Sequence, residues 1–414
     1  MRRVAGHLTS LLAFGRAVLA LLLLLLVAAC TDSDDSGGVT TTETQPESRP
    51  LRTVGFDQER IRVAVVADAA TAQGRQLLDG IDAYWAAVAA RGGVDGQYPV
   101  EVAVVDVAGD PTTALEGVRD ALGDVTLVAL VDGPEHLEAV RPLLLDQGVV
   151  AVATEPSPDS YADPLVLPVG LSIDVLTTAA ATFLDAGAPG GRWCPVSSSG
   201  GAEAPAPALT AVEPSAEVTP AVAVSAETDL APVVAGLQAC TVVWASGDQT
   251  DRLIAALAAA RYPGQVVVLA DDPQLAPQVA GWAPGRLVVA TAGPDWQRQE
   301  PDVREMIAGI DDQSPDAPPS DTIAIGWGSQ QVVHEVLNDA LAEVSLTREE
   351  LSTQAQALEA PDAVLPTWTT DETGRHPAGT VTIWTPAADG ATDPLGRQVL
   401  AVVDVGSLPP VPPA

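Results

Sequence analysis

One stretch, residues 61–111, narrows the possible folds more than any other part of the chain. It opens with Ile61-Arg62-Val63-Ala64-Val65-Val66, an almost unbroken apolar, β-branched run of the kind carried by a strand buried on both faces. A polar loop follows, and then a helix is predicted over 73–91. Its residues Leu77, Leu78, Ile81, Trp85 and Val88 recur at three- and four-residue spacing and so share one face. Gly92-Gly93 supplies the residue that accepts positive φ after the last turn. A second apolar run over 100–105 ends at Asp106, and Asp110-Pro111 sets an N-cap before a proline in the first helical position. Strand, helix and strand in that order make a βαβ unit with parallel strands.

The same alternation continues down the chain. A helix over 111–122 leads to a strand over 125–131, and a helix over 134–146 ends at Gly148 before a strand over 149–153. An extended piece over 164–170 and a helix over 174–186 close this first set. A second set starts with a strand over 192–197. The Pro- and Ala-rich stretch 202–220 stands where a helix is due, but is poorly written for one. Extended residues 221–224, a helix over 229–237, a strand over 240–245, a helix over 249–261 and strands over 265–270 and 286–292 follow. This grammar predicts an α/β chain with two doubly wound, parallel-sheet (Rossmann-like) lobes, and 414 residues suffice for two cores.

The N-terminus reads as a targeting segment. Arg2, Arg3 and Arg16 precede an apolar run over 17–29, shorter than the roughly 20 residues a membrane span needs. The run ends Leu26-Val27-Ala28-Ala29-Cys30, which resembles a bacterial lipobox, with Cys30 as the acylated mature N-terminus. Residues 30–59, rich in Asp, Ser, Thr, Gly and Pro and without periodicity, are expected to be a flexible tether. In a compartment that permits disulfides, Cys194 and Cys240 open strands that would be neighbours in the second sheet. They form either a bridge, stabilising by about 4 kcal/mol through loop closure, or two buried thiols. The formal charge of −35, with arginine as the only basic residue besides histidine, argues against nucleic acid as a partner.

Several of these residues also carry a family resemblance. GGVDG over 92–96, the following VEVAVVD and Gly109-Asp110-Pro111 resemble the opening of type 1 periplasmic binding proteins, closest to the branched-chain amino-acid (Leu/Ile/Val) binding group. The segment from Asp321 through Gly326-Trp327-Gly328 to Leu337 resembles the long helix by which that family returns to its first lobe. Residues 370–375, 379–384 and 397–405 resemble its closing turn and strands. The resemblance covers about residues 60–407 and implies two lobes joined by a hinge with three crossovers. The expected division is a signal peptide over 1–29, a tether over 30–59, lobe one over 60–170 and 297–390, lobe two over 171–296 and 391–407, and a tail over 408–414.

In open parallel sheets, ligands sit beyond the carboxyl ends of strands, beside helix N-termini with unpaired N–H groups. That rule selects the loops 68–73, 132–135 and 154–160 in lobe one, and 197–203, 246–250, 271–274 and 293–296 in lobe two. The resemblance implies a ligand carboxylate held in lobe one and an ammonium held by an acid and aromatics in lobe two. Ser157 falls at the family's hydroxyl contact, and Asp271 or Asp272 near its ammonium-binding acid. The chain departs from the pattern at Asp132-Gly133-Pro134-Glu135-His136, where serine is usual, and at Ser197–Ser199 and Ser246-Gly247-Asp248, where aromatics are usual. Asp132, Glu135 and Glu155 would repel a carboxylate and favour a cationic or polyol ligand, or else are solvated loop acids. Candidate ligand-binding residues are therefore Ser157, Glu155, Asp132, Asp271, Asp272 and Ser246.

Enzyme signatures are missing from the sequence. His7, His136, His334 and His376 lie far apart, and there is no HExxH, zinc-type Cys/His cluster, GxSxG elbow or Walker loop. Ser197-Ser-Ser-Gly-Gly reads as a loop, and Gly326-Trp-Gly328-Ser329 as helix-start packing. Trp282, Trp296, Trp327 and His334 read as core residues before ligand contacts. No catalytic residue, metal or cofactor is expected. The expected function is an extracytoplasmic solute-binding lipoprotein, lipid-anchored at the cell membrane. It would bind an amino acid or related amine and present it to the permease and ATPase subunits of an ABC importer. The alternative is a degenerate binding-protein fold serving as a sensor or envelope scaffold.

Overall fold

The computed structural model describes residues 50–185, 191–198, 206–213, 215–247, 249–269, 282, 285–294, 296, 300–315, 319–386 and 397–409. Cys30, Asp271 and Asp272 lie outside them, as do the signal segment and most of the expected tether.

Lobe one begins with β1 (Ile61–Ala67), α1 (Ala72–Ala90), β2 (Val100–Asp106), α2 (Pro111–Ala121), β3 (Val128–Val131), α3 (Pro134–Gln147), β4 (Ala151–Thr154), α4 (Pro158–Ala162) and β5 (Val166–Val169). Its five strands are all parallel, in the order β2-β1-β3-β4-β5. Capping side chains and a glycine fix the helix ends. The Thr71 hydroxyl accepts from Gly74 N–H, the Asp110 carboxylate accepts from Thr112 N–H, and Gly148 ends α3 at φ 60°. Strand β3 starts later than its apolar run, and within it the register with β1 shifts between Ala64 and Val65.

The chain crosses at 170–172 into lobe two. There α5 (Ile173–Asp185), β6 (Arg192–Ser198), α6 (Ala206–Val212), β7 (Glu217–Val218), β8 (Val222–Val224), α7 (Leu230–Leu237), β9 (Val242–Ser246), α8 (Thr250–Ala259), β10 (Gln265–Leu269) and β11 (Leu287–Thr291) repeat the pattern. The poorly written stretch does form a helix, α6. It tolerates Pro207 in its first turn and buries Ala208 and Leu209. Ser197 and Ser198 end strand β6 instead of starting a loop. Cys194 and Cys240 are joined by a disulfide, with Cα atoms 6.0 Å apart and both side chains buried.

The second crossing leads to α9 (Pro301–Gln313), α10 (Asp321–Ala342) and α11 (Arg348–Ala357), which pack into the lobe-one core, and to a hairpin of β12 (Thr367–Asp371) and β13 (Gly374–Ala378). Strands β14 (Thr380–Pro386) and β15 (Arg397–Asp404) finish the second sheet, whose order is β15-β14-β11-β10-β9-β6-β7, with β8 also on β6. Residues 380–386 therefore belong to the lobe-two sheet, not to lobe one as expected from the sequence. β14 runs antiparallel to β11, with Thr382 opposite Thr291, because the third crossing enters that sheet from its carboxyl edge. A second correction concerns the tether. Residues 50–59 are not free: Phe56 is buried and meets Tyr98 edge-on at 5.1 Å, and the Thr53 hydroxyl donates to the Leu346 carbonyl at 3.0 Å.

Lobe one is closed by the contact of α1 with α10, where the two backbones touch. A Cβ on Gly80 would lie 2.1 Å from the Ile323 carbonyl oxygen, and one on Gly326 would lie 2.1 Å from that of Leu77. Trp327, also on α10, is buried in the same core and meets Tyr84 edge-on. Replacing Gly326 with leucine should therefore cost about 3 kcal/mol by overpacking. Gly236→Ala, which adds a methyl to open space on α7, should leave stability equal or slightly higher. Urea unfolding of the two variants beside the parent protein checks both.

Candidate functional site

Parallel strands bring their carboxyl ends to one edge of each sheet. The chain leaves lobe one from the carboxyl end of β5 and leaves lobe two from that of β11, so both edges adjoin the crossings. On the lobe-one edge, β3 delivers Asp132, whose N–H donates to the Val66 carbonyl at 3.0 Å. Gly133, at φ 86°, turns the chain into α3, and Pro134 removes one of the N–H groups that a helix N-terminus would offer to an anion. The Glu135 carboxylate folds back over that turn, reaching to within 3.1 Å of where a Gly133 side chain would begin. The helix N-terminus thus carries an acid of its own chain.

Asp132 is held in an unusual state. Burial raises its pKa from the carboxylate range to about 6; Glu135 and Asp68 push the same way, while His136 and a hydrogen bond from the Thr154 hydroxyl pull it back. His136 is buried; its Nδ1–H donates to the Asp132 carbonyl at 2.6 Å, and its Nε2 has no hydrogen-bond partner among the described residues. Beyond β4, Glu155 is exposed at φ 51°. Ser157 precedes α4 without capping it, and its hydroxyl shares a 3.2 Å hydrogen bond with that of Ser160.

On the lobe-two edge, Ser197 of β6 and Ser246 of β9 stand opposite each other in register. Both are buried, and the Ser246 hydroxyl has no hydrogen-bond partner among the described residues, a state that calls for an explanation in a folded protein. Small hydroxyls thus occupy the positions where the family resemblance implies aromatics. Trp296 and Trp327 are core residues, and Trp282 packs partly buried against the lobe-two core. His334 bonds to the Tyr84 hydroxyl at 2.7 Å.

The structure therefore places Asp132, Glu155 and Ser157 on one sheet edge and Ser246 on the other, while Asp271 and Asp272 fall outside the described residues. Sequence reasoning missed the densest polar cluster, at the junction itself. Asp321, the first residue of α10, binds Arg397 at 2.8 Å, the Trp296 indole at 2.7 Å and the Thr291 hydroxyl at 3.2 Å. In sequence Asp321 looks like an ordinary helix-start acid, and its partners lie 76, 25 and 30 residues away. A crevice of about 390 Å³ lies at the crossings, lined by Gly293, Pro294, Val364, Trp368, Gly379 and Thr380 among others; it includes none of the strand-edge residues. Among the described residues, no group of three or more His, Cys, Asp or Glu is placed to hold a metal, and no helix is long and apolar enough to cross a membrane.

Two open α/β lobes that face their strand ends to a three-stranded junction define the two-lobed solute-binding class. The sequence profile of the periplasmic binding proteins matches residues 61–391, and the chain belongs to that family. Its members bind solutes and are not enzymes. Among solved structures, it is similar to a fatty acid ABC transporter substrate-binding protein from Thermomonospora curvata. The identity is 17%, over 88% of this chain and 97% of that one, with a TM-score of 0.75. It is also similar to the leucine-binding protein LivK of Thermotoga maritima MSB8, with 17% identity, 84% and 99% coverage and a TM-score of 0.68. A third is a solute-binding protein from Rhodopseudomonas palustris HaA2 in complex with p-hydroxybenzoic acid, with 16% identity, 84% and 98% coverage and a TM-score of 0.68. At such identities the likeness is one of fold. No curated protein sequence matches.

The raised pKa of Asp132 carries a stability consequence with a definite sign. Well below its ordinary pKa, under about pH 3, the carboxyl is protonated in folded and unfolded chains alike. Above about pH 6 the folded state bears the cost of ionising it, while the unfolded state ionised two units earlier. Asp132→Asn should therefore stabilise the protein by up to about 3 kcal/mol at pH 7.5, with the gain falling through about pH 6 to 4 and vanishing below about pH 3. Urea unfolding midpoints of the two proteins across that range check it.

Proposed function

We propose that the protein is an extracytoplasmic solute-binding lipoprotein of an ABC importer, tethered through Cys30, that captures a small amine. An amino acid or related amine enters with its ammonium toward lobe one, where Asp132 receives it, and with polar groups toward Ser246. The observation that carries this reading is the Asp132 carboxylate, poorly compensated on the strand edge beside a helix N-terminus already taken by Glu135. An ammonium there forms a charge-assisted hydrogen bond and relieves the repulsion from Glu135 and Asp68. The orientation is the reverse of the one implied by the family resemblance, in which lobe one takes the carboxylate. Two of the similar structures are named for a fatty acid and for p-hydroxybenzoic acid; the acids of this edge argue against carrying such ligands over to this chain. Capture needs no covalent chemistry, since a solute that binds the closed arrangement better draws the lobes together. Lipobox residues 26–30 support the tether, and the family supports delivery to permease and ATPase subunits.

A second reading, a binding-protein fold kept as a sensor or scaffold, draws on the small buried serines that stand where aromatics are implied.

A thermal-shift panel of amines, amino acids, polyols and carboxylic acids separates these readings. At a hundredfold excess over its Kd a bound solute stabilises by about 2.7 kcal/mol, several degrees in melting temperature. Amines should give that shift, more strongly above pH 6 than below, and Asp132→Asn should abolish it. Shifts from carboxylic acids alone would remove the amine assignment, and silence across the panel would favour the scaffold. For the tether, Cys30→Ser should move the protein from the membrane pellet to the soluble fraction; unchanged fractionation would contradict lipidation.

A further inference from the structure

Asp321 opens α10, the helix that threads the lobe-one core, yet each named partner of its carboxylate belongs to the junction or to lobe two. Oδ2 accepts from the Arg397 guanidinium and from the Thr291 hydroxyl, and Oδ1 accepts from the Trp296 indole N–H. Thr291 ends β11, Arg397 opens β15, and Trp296 lies on the crossing between β11 and α9. Gly293, on the same crossing, presses against the group: a Cβ there would sit 2.2 Å from the carboxylate carbon. The pair is sealed from water, with Asp321 1% and Arg397 3% exposed, and the guanidinium also lies over the Trp384 ring, 5.4 Å from its centre. A buried ion pair gains little net stability, because desolvation offsets attraction, but it is demanding about geometry and costly to break on one side.

The other crossings are differently made. Gly170 and Gly379 stand at φ 86° and 120°, in backbone conformations that favour glycine, and Gly170 N–H donates to the Pro366 carbonyl at 2.8 Å. Among the described residues, Asp321 thus gathers a set of side-chain hydrogen bonds at the junction, while Gly170 and Gly379 carry the chain across at the other two crossings.

The geometry points to Asp321 as a positioning residue for solute capture. Its carboxylate fixes the point about which the lobes turn, and so sets the angle between them without touching the solute. This assignment needs two lobes that close on one another, but not any particular solute, so it stands or falls apart from the amine reading.

Pulsed dipolar EPR on the purified, solute-free protein tests it. Spin labels on unnatural amino acids replace Glu116 on α2 and Ala259 at the end of α8, both exposed. Asp321→Asn keeps the side-chain shape and removes the charge. It should displace or broaden the interlobe distance distribution beyond the parent's width, while hydrogen-exchange protection of the β1 and β9 amides stays at the parent level. A residue with a merely structural role would lower protection and leave the distance unmoved. If Asp321→Asn does not fold, Trp296→Phe, which removes one donor and keeps an aromatic ring in the core, decides by the same two readouts. An unchanged distribution with both lobes protected overturns the assignment.

Discussion

Parallel strands impose a direction on everything else in this molecule. A chain that must re-enter a sheet from the same end sends each strand's exit loop to one edge and each return helix over a face. Both lobes obey, in the same strand order: β2-β1-β3-β4-β5 in the first, and β7 or β8, then β6-β9-β10-β11, in the second. Polar residues at strand exits, scattered in sequence from Asp68 to Ser246, are therefore gathered onto two edges, and because the chain changes lobes at the exits of β5 and β11, those edges meet at the crossings. The same constraint explains the exception. A third crossing arriving at the carboxyl edge has no choice but to run backwards, and β14 does.

Much of the fold was legible because its signals are local. The βαβ unit of residues 61–111 follows from apolar spacing, a glycine pair, an aspartate cap and a proline, and the structure sets β1, α1, β2 and α2 within about one residue of those marks. Helix α6 was hard to see because two prolines and a run of alanines carry no amphipathic stripe; burial of Ala208 and Leu209 against lobe two decides it. Phe56 was hidden in a stretch whose composition reads as linker, since a single aromatic in a polar context gives no period. The lobe membership of β14 was not readable at all, because Val381, Ile383 and Trp384 look alike whichever core they enter.

The site was less legible, for a related reason. Sequence identifies strand exits, and so Asp132, Glu155, Ser157 and Ser246 can be named, but the state of each depends on neighbours distant in the chain. Nothing in the residues around Asp132 says that Asp68 stands close enough to oppose its charge. Asp321 is the sharper case: its companions come from the end of β11, the crossing that follows it and the start of β15, and no spacing rule joins them.

Asp321 and Asp132 together show how a buried acid is turned to structure or left open. Both have pKa values raised by burial. Around Asp321 the fold supplies a guanidinium, an indole N–H and a hydroxyl, so the carboxylate oxygens are satisfied and its surroundings are closed to less than 5% exposure at Arg397 and Trp296. Around Asp132 the fold supplies one hydroxyl and the ring of His136, and sets against them two further acids. Evening out that imbalance would have taken only an arginine nearby, of the kind the chain places beside Asp321. A fold that compensates one carboxylate so fully leaves the other, at a strand exit, short of donors, and that shortfall is what the proposed amine would make good.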